Sequence, residues 1–276
     1  MALSGPFYHG LLRKYVTMFG YIFDNIRIER TNSSGAETEL IKVPITYGPK
    51  DKMIARVIED PTVTKQTAIQ LPVMSFTMTG FQYDPMRKTP TMNRQSSVNV
   101  SNSGSKFYQY TAVPYNIGFA LYIYVKNAED GNKIIEQILP FFTPDWTLTA
   151  DLIPEMDTTV DVPLVMLSVN MEDSYDGDFK ERRALIWTLE FTMKGYFYGP
   201  TATSSIIKFI DVNLRSTSVD NIDDAVGNTG VTSAINIQPG LLANGKPTTN
   251  AAASIPVSQI FSNNNYGYVV SITDQG

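Results

Sequence analysis

The residues that could do chemistry fall in a few short stretches. Glu172-Asp173-Ser174-Tyr175-Asp176-Gly177-Asp178 has the acid and glycine spacing that opens an EF-hand loop. With Gly177 at the glycine position, Arg183 falls where a bidentate glutamate must sit, and a cation there repels calcium. The segment is therefore read as a polar Asp-Gly hairpin turn. Asp151, Glu155, Asp157 and Asp161 could supply paired carboxylates, but no fixed spacing or flanking motif makes a pair of them. A run of acids is commonly a solvated face. His9, the one histidine of the chain, could act as a base beside Tyr8, yet no nucleophile accompanies it. Neither a phosphate-binding G-x-x-x-x-G-K-[ST] loop nor a G-x-S-x-G elbow occurs. With no cysteine, disulfides and thiolate metal sites are excluded. No catalytic residue, cofactor or metal is expected, and the chain is read as a non-enzyme.

Charge is unevenly distributed. Arg87, Lys88, Arg94 and Lys106 stand together with Phe107 and Tyr108 nearby, a combination seen in single-strand nucleic-acid binders. A solvated basic loop explains them more simply. The formal net charge of −5 argues against a surface given over to nucleic acid. From Asp145 to Asp178 the chain has acids and no basic residue. Unlike charges on one chain suit a head-to-tail contact between copies or with a partner protein. Arg87, Lys88 and Arg94 are the expected basic side of that interface, and Asp151, Glu155, Asp157 and Asp161 the acidic side. Two unrelated solvent-facing surfaces are the competing reading.

The elements that must carry these residues follow from periodicity. Leu12, Tyr15, Val16, Phe19, Ile22, Phe23 and Ile26 recur at helical spacing and predict an amphipathic helix. A hairpin is expected from 26–30 and 39–43 around Asn32-Ser33-Ser34-Gly35, then a short helix over about 50–59. A long strand is expected over 69–83. Residues 84–106, rich in Pro, Asn, Ser and Gly, read as a long basic loop. Clean alternation from Tyr115 to Val125 predicts a strand, and Ile134, Ile135, Ile138 and Leu139 a helix stopped by Pro140. Strands are expected over 162–169 and 185–193. The fold class is α+β: a mixed, mainly antiparallel sheet flanked by helices. The domain reading is an α+β domain over 1–200 and an extended C-terminal arm over 201–276 that contacts subunits or partners. Within the arm, 205–214 and 266–272 could form strands.

Hydrophobic residues make up 43% of the chain and charged residues 18%, so a sizeable core can be buried. Its 15 tyrosines and 14 phenylalanines suit a sheet or an interface. The opening residues lack a secretory pattern, and the longest apolar run, Phe119 to Val125, is far short of a membrane span. A soluble chain made in a cytoplasm, with no membrane partner, is expected.

Several stretches together resemble a known family. Phe7-Tyr8-His9-Gly10-Leu11-Leu12-Arg13-Lys14-Tyr15 runs into Phe19-Gly20-Tyr21-Ile22-Phe23-Asp24-Asn25-Ile26, followed by Val43-Pro44-Ile45-Thr46-Tyr47-Gly48-Pro49-Lys50. Later come Glu136-Gln137-Ile138-Leu139-Pro140-Phe141-Phe142-Thr143-Pro144, then Asp176-Gly177-Asp178 leading to Arg182-Arg183 and Trp187-Thr188-Leu189. In this order they resemble the tail sheath stabiliser and completion proteins of T4-like contractile-tailed phages, over residues 7 to about 200. The resemblance implies a tail terminator: a homo-oligomeric, hexameric ring at the head-proximal end of the virion tail, assembled in the host cytoplasm. It further implies that the ring ends tube and sheath growth, stabilises the sheath and offers a docking surface to the neck. The implied partners are the tail sheath protein, the tube or tube-completion protein, and neck and head-completion proteins. Genomic DNA would pass through without specific binding. The alternatives are another tail, neck or baseplate component, or a virion-associated hydrolase.

Overall fold

Alternation and helical stripes place the elements, and a computed structural model shows how they pack. It describes residues 6–31, 37–58, 71–156, 158–173, 185–215 and 231–274. The chain divides into two compact units, one of Met1–Thr91, Thr111–Pro154 and Thr158–Tyr198, the other of Met92–Tyr110, Glu155–Asp157 and Gly199–Gly276.

The first unit is built on the strands whose apolar alternation is strongest. β3 (Ile45–Tyr47), β4 (Val73–Tyr83), β7 (Val113–Val125), β8 (Asp145–Ile153), β9 (Thr158–Asp173) and β10 (Leu185–Phe197) form one six-stranded sheet. Its order is β3-β4-β7-β10-β9-β8, and only the β3–β4 pair is parallel. A separate hairpin pairs β1 (Arg27–Thr31) with β2 (Glu37–Lys42). This is the expected α+β class with a mixed, mainly antiparallel sheet. α1 (Leu11–Phe23) lays Tyr15, Phe19 and Phe23 on the sheet face that carries Phe76, Phe119 and Phe191. It stops short of the expected Ile26, because that residue enters the β1 hairpin through a hydrogen bond from the Val43 amide, 3.0 Å.

α3 (Ala128–Ile138) sits on the same face, close enough that a Cβ on Gly131 would lie 2.5 Å from the Trp187 indole nitrogen. α2 (Lys50–Ile58) covers the opposite face, where Met53 joins Val73, Tyr124 and Ile186 in a buried cluster. β8 was not expected. Its Trp146, Leu148, Ala150 and Leu152 alternate inward among exposed Asp and Thr, and the acids mask that period.

The 84–106 stretch is not one loop. A 3-10 turn occupies Pro85–Arg87, and the second unit takes β5 (Arg94–Val98) and β6 (Ser105–Tyr110), paired antiparallel. β5 (RQSSV) carries no apolar alternation and β6 (SKFYQY) sets its aromatics on both faces, so only the pairing reveals them. β6 also pairs with β11 (Ala202–Ser205), and Gln109, buried, donates to the Gly199 carbonyl at 2.8 Å. Residues 201–276 hold a second sheet of this unit: β12 (Ile210–Arg215), β13 (Val231–Gly240) and β14 (Gly267–Asp274), in that order and antiparallel throughout. Leu241, Ile260 and Val269 are buried in this unit.

Candidate assembly interface

The basic side of the expected interface starts at a capped turn. The Asp84 carboxylate accepts from the Met86 amide at 3.0 Å and from Arg87 Nε at 2.8 Å. Its pKa is lowered, chiefly by the hydrogen bond from the Arg87 side chain. Arg87 Nη2 also donates to the Tyr115 carbonyl at 3.2 Å and to Asn116 Oδ1 at 3.0 Å, and the guanidinium lies 5.0 Å from the Tyr196 ring centre. Arg87 therefore spends its donors holding β4 to β7 and β10 inside its own unit. Lys88, one residue on, is exposed.

Arg94 is placed in the second unit on exposed β5. It donates to the Tyr110 hydroxyl at 2.8 Å, with its guanidinium 4.9 Å and 5.4 Å from the rings of Tyr110 and Tyr108. Such stacking orients a cation without neutralising it.

On the acidic side, Asp151 and Asp161 are exposed on β8 and β9. Asp161 accepts from Thr149 Oγ1 at 2.6 Å across the hairpin. The Asp151 and Leu152 carbonyls accept from Lys14 Nζ at 3.1 and 2.8 Å, so a helix-α1 cation already stands beside this acid. Further along, Glu172 is engaged by Lys50. Glu155, in the second unit, accepts from Thr201 Oγ1 at 3.1 Å. Asp157 lies outside the described residues, as do residues 174–178 of the acidic loop, while β9 and β10 on either side form the expected hairpin.

Charge reversal separates the two roles these neighbours can play. Arg87→Glu should lower thermal stability of the isolated protein, since it deletes the guanidinium's bonds to Asp84, Tyr115 and Asn116 and sets a carboxylate against Asp84. Lys88→Glu should leave stability within about 0.5 kcal/mol of wild type, as for surface changes generally. Any loss of self-association in Lys88→Glu then reports a contact and not the fold; thermal melts and light scattering on both variants measure this.

The charge pattern gave no sign of an exposed apolar surface in the second unit. In β12–β14, Val212, Ile235 and Ile272 form one cross-strand row and Ile210, Ile237 and Val270 the next, all on one face. Ile272 is 66% exposed, Val270 54% and Ile210 50%. The alternation was visible in 205–214 and 266–272, but which face would stay open was not. Lys208, just before β12, is held by Ser103 Oγ and by the Val257 and Ile260 carbonyls at 3.0, 3.0 and 2.8 Å. Burial pushes its pKa down.

A tightly packed sheet domain joined to a unit with an open apolar face marks a protein that works by surface contact, an assembly component. The family model for the T4-like virus Myoviridae tail sheath stabiliser matches residues 6–258, and the chain belongs to that family. It is a structural protein of a phage tail. It is similar to the tail completion protein gp15 of Enterobacteria phage T4, with 30% identity over 207 residues covering 72% of this chain and 74% of that protein.

Proposed function

We propose that the chain forms a closed ring, hexameric, at the head-proximal end of a contractile tail, where it terminates tube and sheath, stabilises the sheath and provides the docking surface for the neck. The observation that carries this reading is the extent of the family match, residues 6–258, which takes in both compact units. Both are then parts of the same machine. The similar phage T4 protein is named for tail completion, and completing a polymer is what a closed ring does. One face matches the last layer, and the other offers no repeat of it.

The partners in this reading are the tail sheath protein, the tube or tube-completion protein, and neck and head-completion proteins. Genomic DNA passes through unread, in keeping with a net charge of −5. Assembly takes place in the host cytoplasm, and residues 201–276 serve as the contact arm. Lys88 and Arg94 of one copy face Asp151, Glu155, Asp157 and Asp161 of the next or of a partner, with Arg87 fixing the turn that presents Lys88.

The mass of the purified protein in solution, with negative-stain images of tails with and without it, tests the proposal. Closed rings that seat at the head-proximal end are the expected result. Open stacks would make the chain a tube-type subunit, and a monomer that neither oligomerises nor decorates tails would end the terminator reading.

A further inference from the structure

Two sheet faces of the chain carry opposite charge at the same spacing. The first is one face of β5-β6-β11 in the second unit. Register there puts Arg94 beside Tyr110, Ser96 beside Tyr108 and Val98 beside Lys106, and Ala202 and Ser204 of β11 complete the rows. Arg94, Ser96 and Tyr110 are exposed, and Tyr108 and Lys106 half-buried. A loop would let the two cations wander, but strand pairing fixes the distance between them. No salt bridge among the described residues takes Arg94 or Lys106.

The second is the face of β8 and β9 turned away from α1 in the first unit. Asp145, Thr147, Thr149 and Asp151 alternate along β8 opposite Val165, Pro163, Asp161 and Thr159 of β9. The four β8 residues and Asp161 are exposed. Thr147 donates to Asp145 at 3.3 Å and Thr149 to Asp161 at 2.6 Å, and hydroxyls leave the negative charge in place. Lys194 of β10 faces the same way, yet no salt bridge among the described residues takes Asp145, Asp151 or Asp161.

We propose that the β5-β6-β11 face of one copy packs on the β8–β9 face of the next, with Arg94 and Lys106 pairing with Asp145 and Asp161. The inference rests on the ring reading above and gives its charged contact the form of sheet on sheet. Spacing selects this occupant. Lys106 stands four positions along and one strand across from Arg94, and Asp161 stands four positions along and one strand across from Asp145. At about 3.4 Å per residue and about 4.8 Å between strands, each pair spans about 14 Å. Two fixed pairs of equal span close two ion pairs at once. Asp145 and Asp151, on one strand, span about 20 Å and miss the match. The two faces differ, so the contact is heterologous, as a closed ring requires, and like charge keeps each face from stacking on itself.

Charge reversal on separate copies tests the contact, with light scattering to read the mass. Arg94→Glu sets glutamate against aspartate at every contact, and Asp161→Arg sets arginine against a cation. Each should raise the concentration at which rings form at least about tenfold. Mixed in equal amounts, two matched variants alternate around an even-numbered ring, every contact regains opposite charges, and the ring mass returns. Arg94 can meet either acid, so Arg94→Glu is mixed with Asp161→Arg and, separately, with Asp145→Arg. One mixture should restore the ring and the other stop at dimers. Lys106→Glu repeats the test from a cation with no ring stacking to lose, and thermal melts of all variants should match wild type.

If the single reversals keep the wild-type ring mass, the contact is wrong and the ring stands. If they break the ring and no mixture restores it, the two faces do not meet between copies and the proposal is overturned. If wild type is monomeric at every concentration and absent from tails, ring and contact fall together.

Discussion

Phe19→Ala should cost about 4 kcal/mol of folding stability, at the upper end of what a single core truncation removes. Phe19 has no exposed surface, and its ring meets four others: Phe119 at 4.5 Å and nearly parallel, Phe23 and Phe76 at 5.1 Å, and Phe191 at 5.4 Å. It is the point at which α1 is pinned to β4, β7 and β10 together. Removing it opens a cavity walled by rings on three strands, and a pleated sheet cannot collapse to fill it. Natural domains hold about 5–15 kcal/mol in all, so such a loss leaves a substantial unfolded fraction. Urea denaturation should show a lower midpoint with an unchanged slope. Phe19→Leu keeps much of the volume and should lose less than half as much; equal losses would mean that ring stacking, and not burial, dominates.

Tyr15→Phe should be nearly as damaging, although it deletes one atom. The Tyr15 hydroxyl donates to the Tyr196 carbonyl at 2.6 Å and accepts from the Tyr196 amide at 2.8 Å. The registered pairing of β10 with β9 ends at Met193 and Leu164, so a helix side chain takes the place of a neighbouring strand for Tyr196. Gly195 makes the approach possible: a Cβ there would lie 2.9 Å from Ile117 Cδ1 and 3.2 Å from the hydroxyl. Phenylalanine leaves a half-buried amide and carbonyl without the hydroxyl, each costing at most about 1–3 kcal/mol, so a loss of about 2–3 kcal/mol is expected.

The same hydroxyl gives the protein an alkaline limit. Burial pushes Tyr15 up to about 12, and burial likewise pushes Tyr124 up to about 12 against a weaker opposing hydrogen bond with Ser75. In the unfolded chain both would ionise near 10. Their contribution to stability is therefore complete below pH 10 and is lost as pH rises from about 10 to about 12, because only the unfolded state gives up the protons there. For Tyr15 the whole loss is about 2–3 kcal/mol. Denaturation midpoints measured across that window should fall in wild type, and fall less steeply in Tyr15→Phe. Parallel curves would show that Tyr15 ionises in the folded state.

Much of the first unit was legible in the residue pattern. The stripe Tyr15, Phe19, Phe23 and the alternations of β7 and β10 predict a helix on a sheet, because helices and strands bury faces of fixed period. β8 escaped because its acids were read as a solvated run, although Trp146, Leu148, Ala150 and Leu152 carry the strand period beneath them. β5 escaped for the opposite reason, having no apolar period at all. In β13 the apolar residues alternate over no more than Ile235 and Ile237, too short a stretch to separate from a linker. The family was legible too, since a resemblance in the order of short segments survives where no single motif is diagnostic.

What sequence alone determined, then, is the class of fold, its principal buried faces and the kinship to tail sheath stabilisers. Tertiary structure alone decided which charges are committed and which surfaces stay open. Arg87 looks like a free cation beside Lys88, and only folding brings Asn116, the Tyr115 carbonyl and the Tyr196 ring to it from distant segments. Ile210, Val212, Val270 and Ile272 look like core residues, and only the order β12-β13-β14 leaves them on an exposed face. Periodicity is a local property that each strand carries in its own residues. Which edges find partners, and which donors find acceptors, depends on segments far apart in the chain, and only packing brings those together.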